Sequence, residues 1–194
     1  MSKKDIPAEI LEAAKELFFK HGFKRISIED ICNKAKVCRR TFYVYFENKT
    51  DLLIQLLQHI YETKMREFIA INISDLPFPE KLIQITNYNI AQLEQMTPEF
   101  LSDIYDPSFL EVREHYESKK EHSEARMYAF FTEAQKRGDI RQNLDIEFLQ
   151  RFINHAIASY NNENIRKQYP NAVDYMRKIA DVLYFGILGN NSKL

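Results

Sequence analysis

Between Ser27 and Lys49 the chain reads SIEDICNKAKVCRRTFYVYFENK, two short helical patterns that meet across a tight turn containing neither glycine nor proline. Nothing else in the sequence restricts the fold so much. Ser27 with Asp30 three residues on is a capping box, so a helix is expected to start at Ile28 with Ile31 and Ala35 on its buried side. That helix stops near Ala35. Lys36 and Val37 then form a turn, Val37 filling the corner, and a second helix from about Arg39 buries Phe42 and Phe46, one turn apart. The burial of two phenylalanines fixes what is left outside: Arg39, Arg40, Thr41, Tyr43, Val44 and Tyr45. Two helices so arranged are a helix-turn-helix, whose second helix reads base edges in a major groove.

The side chains fit that geometry. Arginine pairs bidentately with O6 and N7 of guanine, while the Thr41 methyl and Val44 can touch a thymine methyl. Tyr43 and Tyr45 hydroxyls, Ser27 and the free N–H groups at the helix start can reach phosphate oxygens, and Lys49 stands where the next helix begins. Such contacts hold register. An isolated Arg-Arg pair is more simply the solvated face of a small helix; the surrounding framework favours DNA.

From Ile10 to Leu53 the chain resembles the DNA-binding head of the TetR (tetracycline repressor-like) family. The resemblance rests on Ile10, Ala14, Leu17, Phe18 and Gly22, on Ser27, Asp30 and Ile31, and on Val37, Thr41, Phe42, Tyr43, Tyr45, Phe46, Lys49 and Leu52, with TFYVYFENKTDLL its most specific segment. It covers about the first third of the chain and implies that Ser27, Arg39, Arg40, Thr41, Tyr43, Val44, Tyr45 and Lys49 face DNA. It also implies a homodimer on a palindromic operator, usually for repression. Two positions depart from the pattern. Cys38 replaces a better helix cap such as Ser, and Arg40 stands where Gly, Ala or Ser is common, so no relative's operator sequence transfers.

Of the 194 residues 45% are hydrophobic, enough for one large or two small cores, and with only 4 Gly and 6 Pro the chain lacks the turn-formers of a many-stranded sandwich. An all-α protein is expected. No apolar run approaches the roughly 20 residues of a membrane span, and MSKKDIPAEI lacks the apolar segment of a signal peptide, so a cytoplasmic address with no membrane partner is expected. There Cys32 and Cys38 stay thiols; Cys32 packs as a small apolar residue, while Cys38 at a helix start is the one positioned to react. The net charge of -1 is unevenly spread: residues 1–50 have 11 Lys and Arg against 7 Asp and Glu, the rest 16 against 21. The basic end faces a polyanion.

The organisation that follows is a DNA-binding head over residues 1–50, with the helix-turn-helix at about 28–47, and a helical regulatory and dimerisation domain over 51–194, about nine helices in all. The first helix begins at Pro7 and ends at Gly22, with Lys20 and His21 in its last turn. A linking helix over 50–72 leaves the head as a lever. Pro77 and Pro79 force a loop, then helices are expected at Glu80–Met96, at Glu99–Tyr105 and from Asp106-Pro107 to Arg137, the last with an almost wholly polar middle, ESKKEHSEAR. In the two final helices Ile146, Leu149, Ile153, Ala156 and Tyr160, and Val173, Met176, Ala180, Leu183 and Ile187, recur at steps of three and four, a seam for four-helix packing with a second copy or for the protomer's own core. With Phe152, Ile157, Ile179 and Phe185 they hold more apolar surface than one partner face absorbs.

The reading is a ligand-responsive DNA-binding regulator whose small-molecule effector binds among Asn89, Gln92, Tyr105, Phe109, Tyr116, Met127 and Phe131, although an aromatic stripe at helical spacing also makes plain core. Two rivals stand beside it. One is a helical-bundle metalloenzyme using Glu111, Glu114, His115, His122 and His155, but paired Glu-x-x-His segments are lacking, so no cofactor or metal is expected and no catalytic residue assigned. The other is a DNA-bound factor controlled by a protein partner.

Overall fold

In a computed structural model that describes residues 5–104 and 106–188, apart from the side chains of Asn161 and residues 185–188, the helix signals of the head are realised one by one. Helix α1 spans Ile6–His21. Asp5 caps it by accepting the Ala8 N–H at 3.3 Å, Pro7 sits in the first turn, and the helix closes on Gly22 at φ +81°. Helix α2, Ile28–Ala35, starts at the expected capping box: the Asp30 N–H donates to Ser27 Oγ at 3.1 Å and the Ser27 N–H to the Asp30 carboxylate at 2.8 Å. It ends on Lys36 at φ +56°, a left-handed residue, with the Val37 N–H reaching back to the Cys32 carbonyl at 3.0 Å. Helix α3, Arg39–Tyr45, has Cys38 at its N-cap without a side-chain capping bond.

Helix α4 runs Lys49–Ile73, one residue beyond the expected linker at each end, and α5 Phe78–Glu94, with Pro79 tolerated in its first turn. Then come α6, Pro98–Ile104, and α7, Leu110–Arg137. The latter starts later than Pro107 suggested because Asp106 builds a turn first, accepting the Ser108 N–H on its carboxylate and the Phe109 N–H on its carbonyl. Gly138 at φ +82° ends α7, and Asp145 caps α8, Ile146–Ala158, through the Phe148 N–H at 2.9 Å. The described residues hold ten α-helices, against about nine expected. Past a 3-10 turn at Ser159–Asn161, a six-residue helix α9, Glu163–Gln168, precedes α10, Ala172–Leu188. Among the described residues no strand forms.

The chain divides into two compact units, and α4 and α7 pass from one to the other. The first holds Met1–Lys64 and Gln95–Lys119 around Ile10, Phe18, Phe23, Ile31, Phe42, Phe46, Leu52, Leu53, Phe100 and Val112, so α6 and the start of α7 share the core of α1–α3. The second holds Met65–Glu94 and Lys120–Leu194 around Phe78, Leu82, Phe130, Phe131, Ile146, Leu149, Ala180 and Tyr184. In it the buried Lys81 ammonium donates to the Asn72 carbonyl at 2.8 Å, closing the C-terminal end of α4.

Candidate nucleic-acid interface

Helix α3 is too short to be stable alone, so its position comes from packing. Phe42 is fully buried and Phe46 nearly so, their ring centroids 5.5 Å apart. Clamping these two turns the rest of the helix outward: Arg39, Arg40, Tyr43, Val44 and Tyr45 are exposed, Val44 at 69% and Tyr43 at 49%. Tyr43, one turn beyond Arg39, raises the affinity of that guanidinium for its proton through a hydrogen bond. Thr41 is half-buried, its Oγ1 3.2 Å from Cys38 Sγ. That hydroxyl is the largest cause pulling the exposed Cys38 thiol below its ordinary value, whereas burial pushes Cys32 up. Ser27 is exposed but spends its hydroxyl on the capping box.

Lys49 is placed differently from the outward position expected of it. Its half-buried ammonium donates to the carbonyls of Ile26 at 2.8 Å, Phe23 at 2.9 Å and, more weakly, Lys24 at 3.5 Å, and lies 4.3 Å from the Phe23 ring centroid. Burial holds its pKa below the usual lysine value, with Asp103 acting the other way. Two of its three donors are met by carbonyls at hydrogen-bond distance, so this charge works inside the head.

The residues named for an effector are not gathered in one unit. Phe109 and the half-buried Tyr116 belong to the first core, Phe109 packing edge-on against Phe23 at 5.1 Å. Asn89, Gln92 and Met127 are half-buried in the second unit, where Phe131, 1% exposed, is core between Phe78 and Phe130. Tyr105 lies outside the described residues.

The seam read from α8 and α10 also needs correction. Ile146, Leu149, Val173 and Ala180 are buried within the protomer, and Ile153, Ala156, Tyr160, Met176 and Leu183 are half-buried; the side chains of Ile187 and Phe185 lie outside the described residues. Helix α8 has a second apolar stripe, and the inward one fills the core. Left exposed are Phe148 at 67%, Phe152 at 47% and Ile157 on α8, and Val182 at 59% on α10. Phe148 and Phe152 are four residues apart, a spacing visible in the sequence but masked by the stronger 146–149–153 stripe.

Among the described residues no three His, Cys, Asp or Glu side chains stand where they could hold a metal ion. Glu111, Glu114, His122 and His155 are exposed, and His115, half-buried with Nε2 inside and lacking a hydrogen-bond partner, has its pKa lowered by burial. No helix is long and apolar enough to cross a membrane among the described residues.

Sequence and structure comparisons agree with this geometry. The family described as bacterial regulatory proteins, tetR family, matches residues 10–56, which contain α2 and α3 whole. The chain is similar to the HTH-type transcriptional regulator TtgR of Pseudomonas putida, 41% identical over 56 residues, which are 29% of this chain and 27% of TtgR, so the chain spans about a quarter of that relative's length. The HTH-type transcriptional repressor DhaR of a Mycobacterium species is 21% identical over the whole chain and 98% of its own. The fold is similar to that of FadR from Bacillus subtilis, a transcriptional regulator solved in complex with stearoyl-CoA, with a TM-score of 0.70 at 21% identity over 93% of this chain and 98% of FadR. Over residues 10–56 the chain matches the tetR family of bacterial regulatory proteins, and over its length its all-α fold is similar to that of FadR.

Proposed function

We propose that the chain is a DNA-binding transcriptional regulator that binds a palindromic operator as a homodimer and is released by a small molecule, repressing in the cytoplasm. The observation that carries this is the outward face of α3: two arginines, two tyrosines and Val44, exposed by the burial of Phe42 and Phe46 within the segment that matches the family. In this reading Arg39, Arg40, Thr41 and Val44 read base edges, Tyr43 and Tyr45 contact phosphate, Ser27 caps α2 at the same face, and Lys49 fixes the turn behind them. Residues 1–50 form the head and residues 51–194 bind effector and second copy.

A twofold dimer sets its two recognition helices about 34 Å apart, or a multiple, along one face of the duplex. The exposed Phe148, Phe152, Ile157 and Val182 are the surface offered to the second copy. FadR of similar fold was solved with stearoyl-CoA; in this reading the effector of the present chain binds within the helical body, and the half-burial of Asn89, Gln92 and Met127 supports it. A coupling of about 1 to 3 kcal/mol between effector and DNA lowers operator affinity roughly 5- to 150-fold.

The test is selection from randomised duplexes at moderate salt, followed by footprinting. Enrichment of an inverted repeat with half-sites about one helical turn apart is the expected result. A pool unchanged after repeated rounds overturns the reading.

A further inference from the structure

The turn over residues 22–26 delivers the chain to Ser27, the first residue of the helix-turn-helix, and it is gripped from two sides. On one side is Lys49, donating to the Phe23 and Ile26 carbonyls. On the other is Asp103 in α6, only 8% exposed, whose carboxylate accepts the Lys24 backbone N–H at 3.0 Å across 79 residues of sequence and lies 3.5 Å from Lys24 Nζ. The same Lys24 ammonium also pairs with Asp106. The fit leaves no slack: a Cβ at Gly22 would stand 3.0 Å from Asp103 Oδ2 and 3.3 Å from Glu99 Cβ. The Thr97 N–H donates to the Phe19 carbonyl at 3.0 Å, and the Phe19 and Phe100 rings are 4.9 Å apart, so α6 lies on the end of α1 just before the turn.

A buried carboxylate is costly unless it is paired and hydrogen-bonded. Here its partners are a peptide N–H of the turn and a lysine of the turn, and Lys49 attracts it across the same peptide groups. Taking Asp103 away frees the Lys24 N–H and leaves Lys49 as the anchor of the turn's peptide groups, with the Lys24–Asp106 pair holding only a side chain. We infer that Asp103 is a positioning residue for DNA recognition: from outside the family-matched segment 10–56, it fixes the turn that sets where α2 and α3 stand. This rests on the proposed reading of α3, and its own test separates the two.

The experiment compares amide hydrogen exchange and DNA affinity of the full chain for Asp103→Ala, Asp103→Asn and, as control, Asp106→Asn. The DNA probes are the duplex enriched by selection and an unrelated duplex of equal length. In Asp103→Ala the amides over 22–26 exchange about tenfold faster, the scale of one hydrogen bond to a charged acceptor, while α2 keeps its protection. Affinity for the enriched duplex falls about tenfold and that for the unrelated duplex, held by phosphate charge, stays within about twofold. Asp103→Asn, whose amide oxygen still accepts the Lys24 N–H, recovers most of the protection, and Asp106→Asn leaves the ratio between duplexes unchanged. Unchanged exchange over 22–26 overturns the inference. So does an equal loss on both duplexes, or exchange accelerated evenly through α1–α6, which is what a merely structural carboxylate gives. If no duplex is enriched, the DNA reading fails, and the exchange of 22–26 still decides whether Asp103 holds the turn.

Discussion

Replacing Lys49 by methionine keeps an aliphatic chain of similar length and removes the ammonium, so the variant loses the hydrogen bonds to the turn together with the charge over the Phe23 ring. The carbonyls of Phe23 and Ile26 lose donors at 2.9 and 2.8 Å, both part-buried, while the 3.5 Å contact to Lys24 is too long to count for much. A hydrogen bond to a charged group is worth about 1.5 to 3 kcal/mol net. Two give about 3 to 6. Against that stands the cost of desolvating the ammonium, visible in its lowered pKa, so the net loss is set at about 2 to 4 kcal/mol. The assay is urea unfolding of parent and variant at equal protein concentration, followed by titration of the enriched and an unrelated duplex at two salt concentrations. A structural Lys49 gives a lower unfolding midpoint and an unchanged salt dependence of DNA binding. A phosphate-contacting Lys49 gives the reverse: stability within about 0.5 kcal/mol of the parent and a log-log salt slope smaller by about one. That second result would refute the assignment made from the carbonyl contacts.

Arg39→Ala and Arg40→Ala each relax base preference at one position of the half-site, by about 1 to 3 kcal/mol where the contact is bidentate; parallel selections read this, and an unchanged consensus counts against base readout. Phe148→Glu with Phe152→Glu produces monomers in sedimentation with little loss of protomer stability, because both side chains are exposed; a dimer that survives the pair places the interface elsewhere. At neutral pH iodoacetamide modifies Cys38 well before the buried Cys32, since the first thiol is pulled down and the second pushed up, and equal rates by peptide mass would contradict this. Ser27 lowers the Asp30 pKa in the capping box, and Lys24 followed by Ser108 lowers that of Asp106. For carboxylates depressed on folding, the stabilisation is complete above the ordinary value of about 4 and is lost as pH falls through and below it. Thermal midpoints therefore drop on acidification below about pH 4, less steeply in Asp30→Asn; a parallel slope in that variant would mean the box titrates as it does in the unfolded chain.

The head could be read because its signals are local. Ser27 and Asp30 make their cap within four residues, Gly22 ends α1 where its left-handed backbone is needed, and Phe42 and Phe46 declare their face by helical spacing alone. Lys49 escaped that logic. Its partners are the carbonyls of Phe23 and Ile26, more than 20 residues earlier in the chain, and a lysine at a helix start looks the same whether it faces a phosphate or a buried carbonyl. Asp103 is more remote still.

The same physics explains α8. Periodicity states that Ile146, Leu149 and Ile153 share one side of the helix, and Phe148 and Phe152 another, but not which side meets the protomer's own Phe131 and Ala180 and which is left over. A helix with two apolar stripes has two self-consistent burials. Only the competing faces of α5, α7 and α10 decide between them, and they chose the branched aliphatic stripe for the interior. The larger phenylalanines were left outside, where they gain by burial only against something not in the protomer. An interface read from sequence is therefore best sought on the apolar stripe that the core does not need.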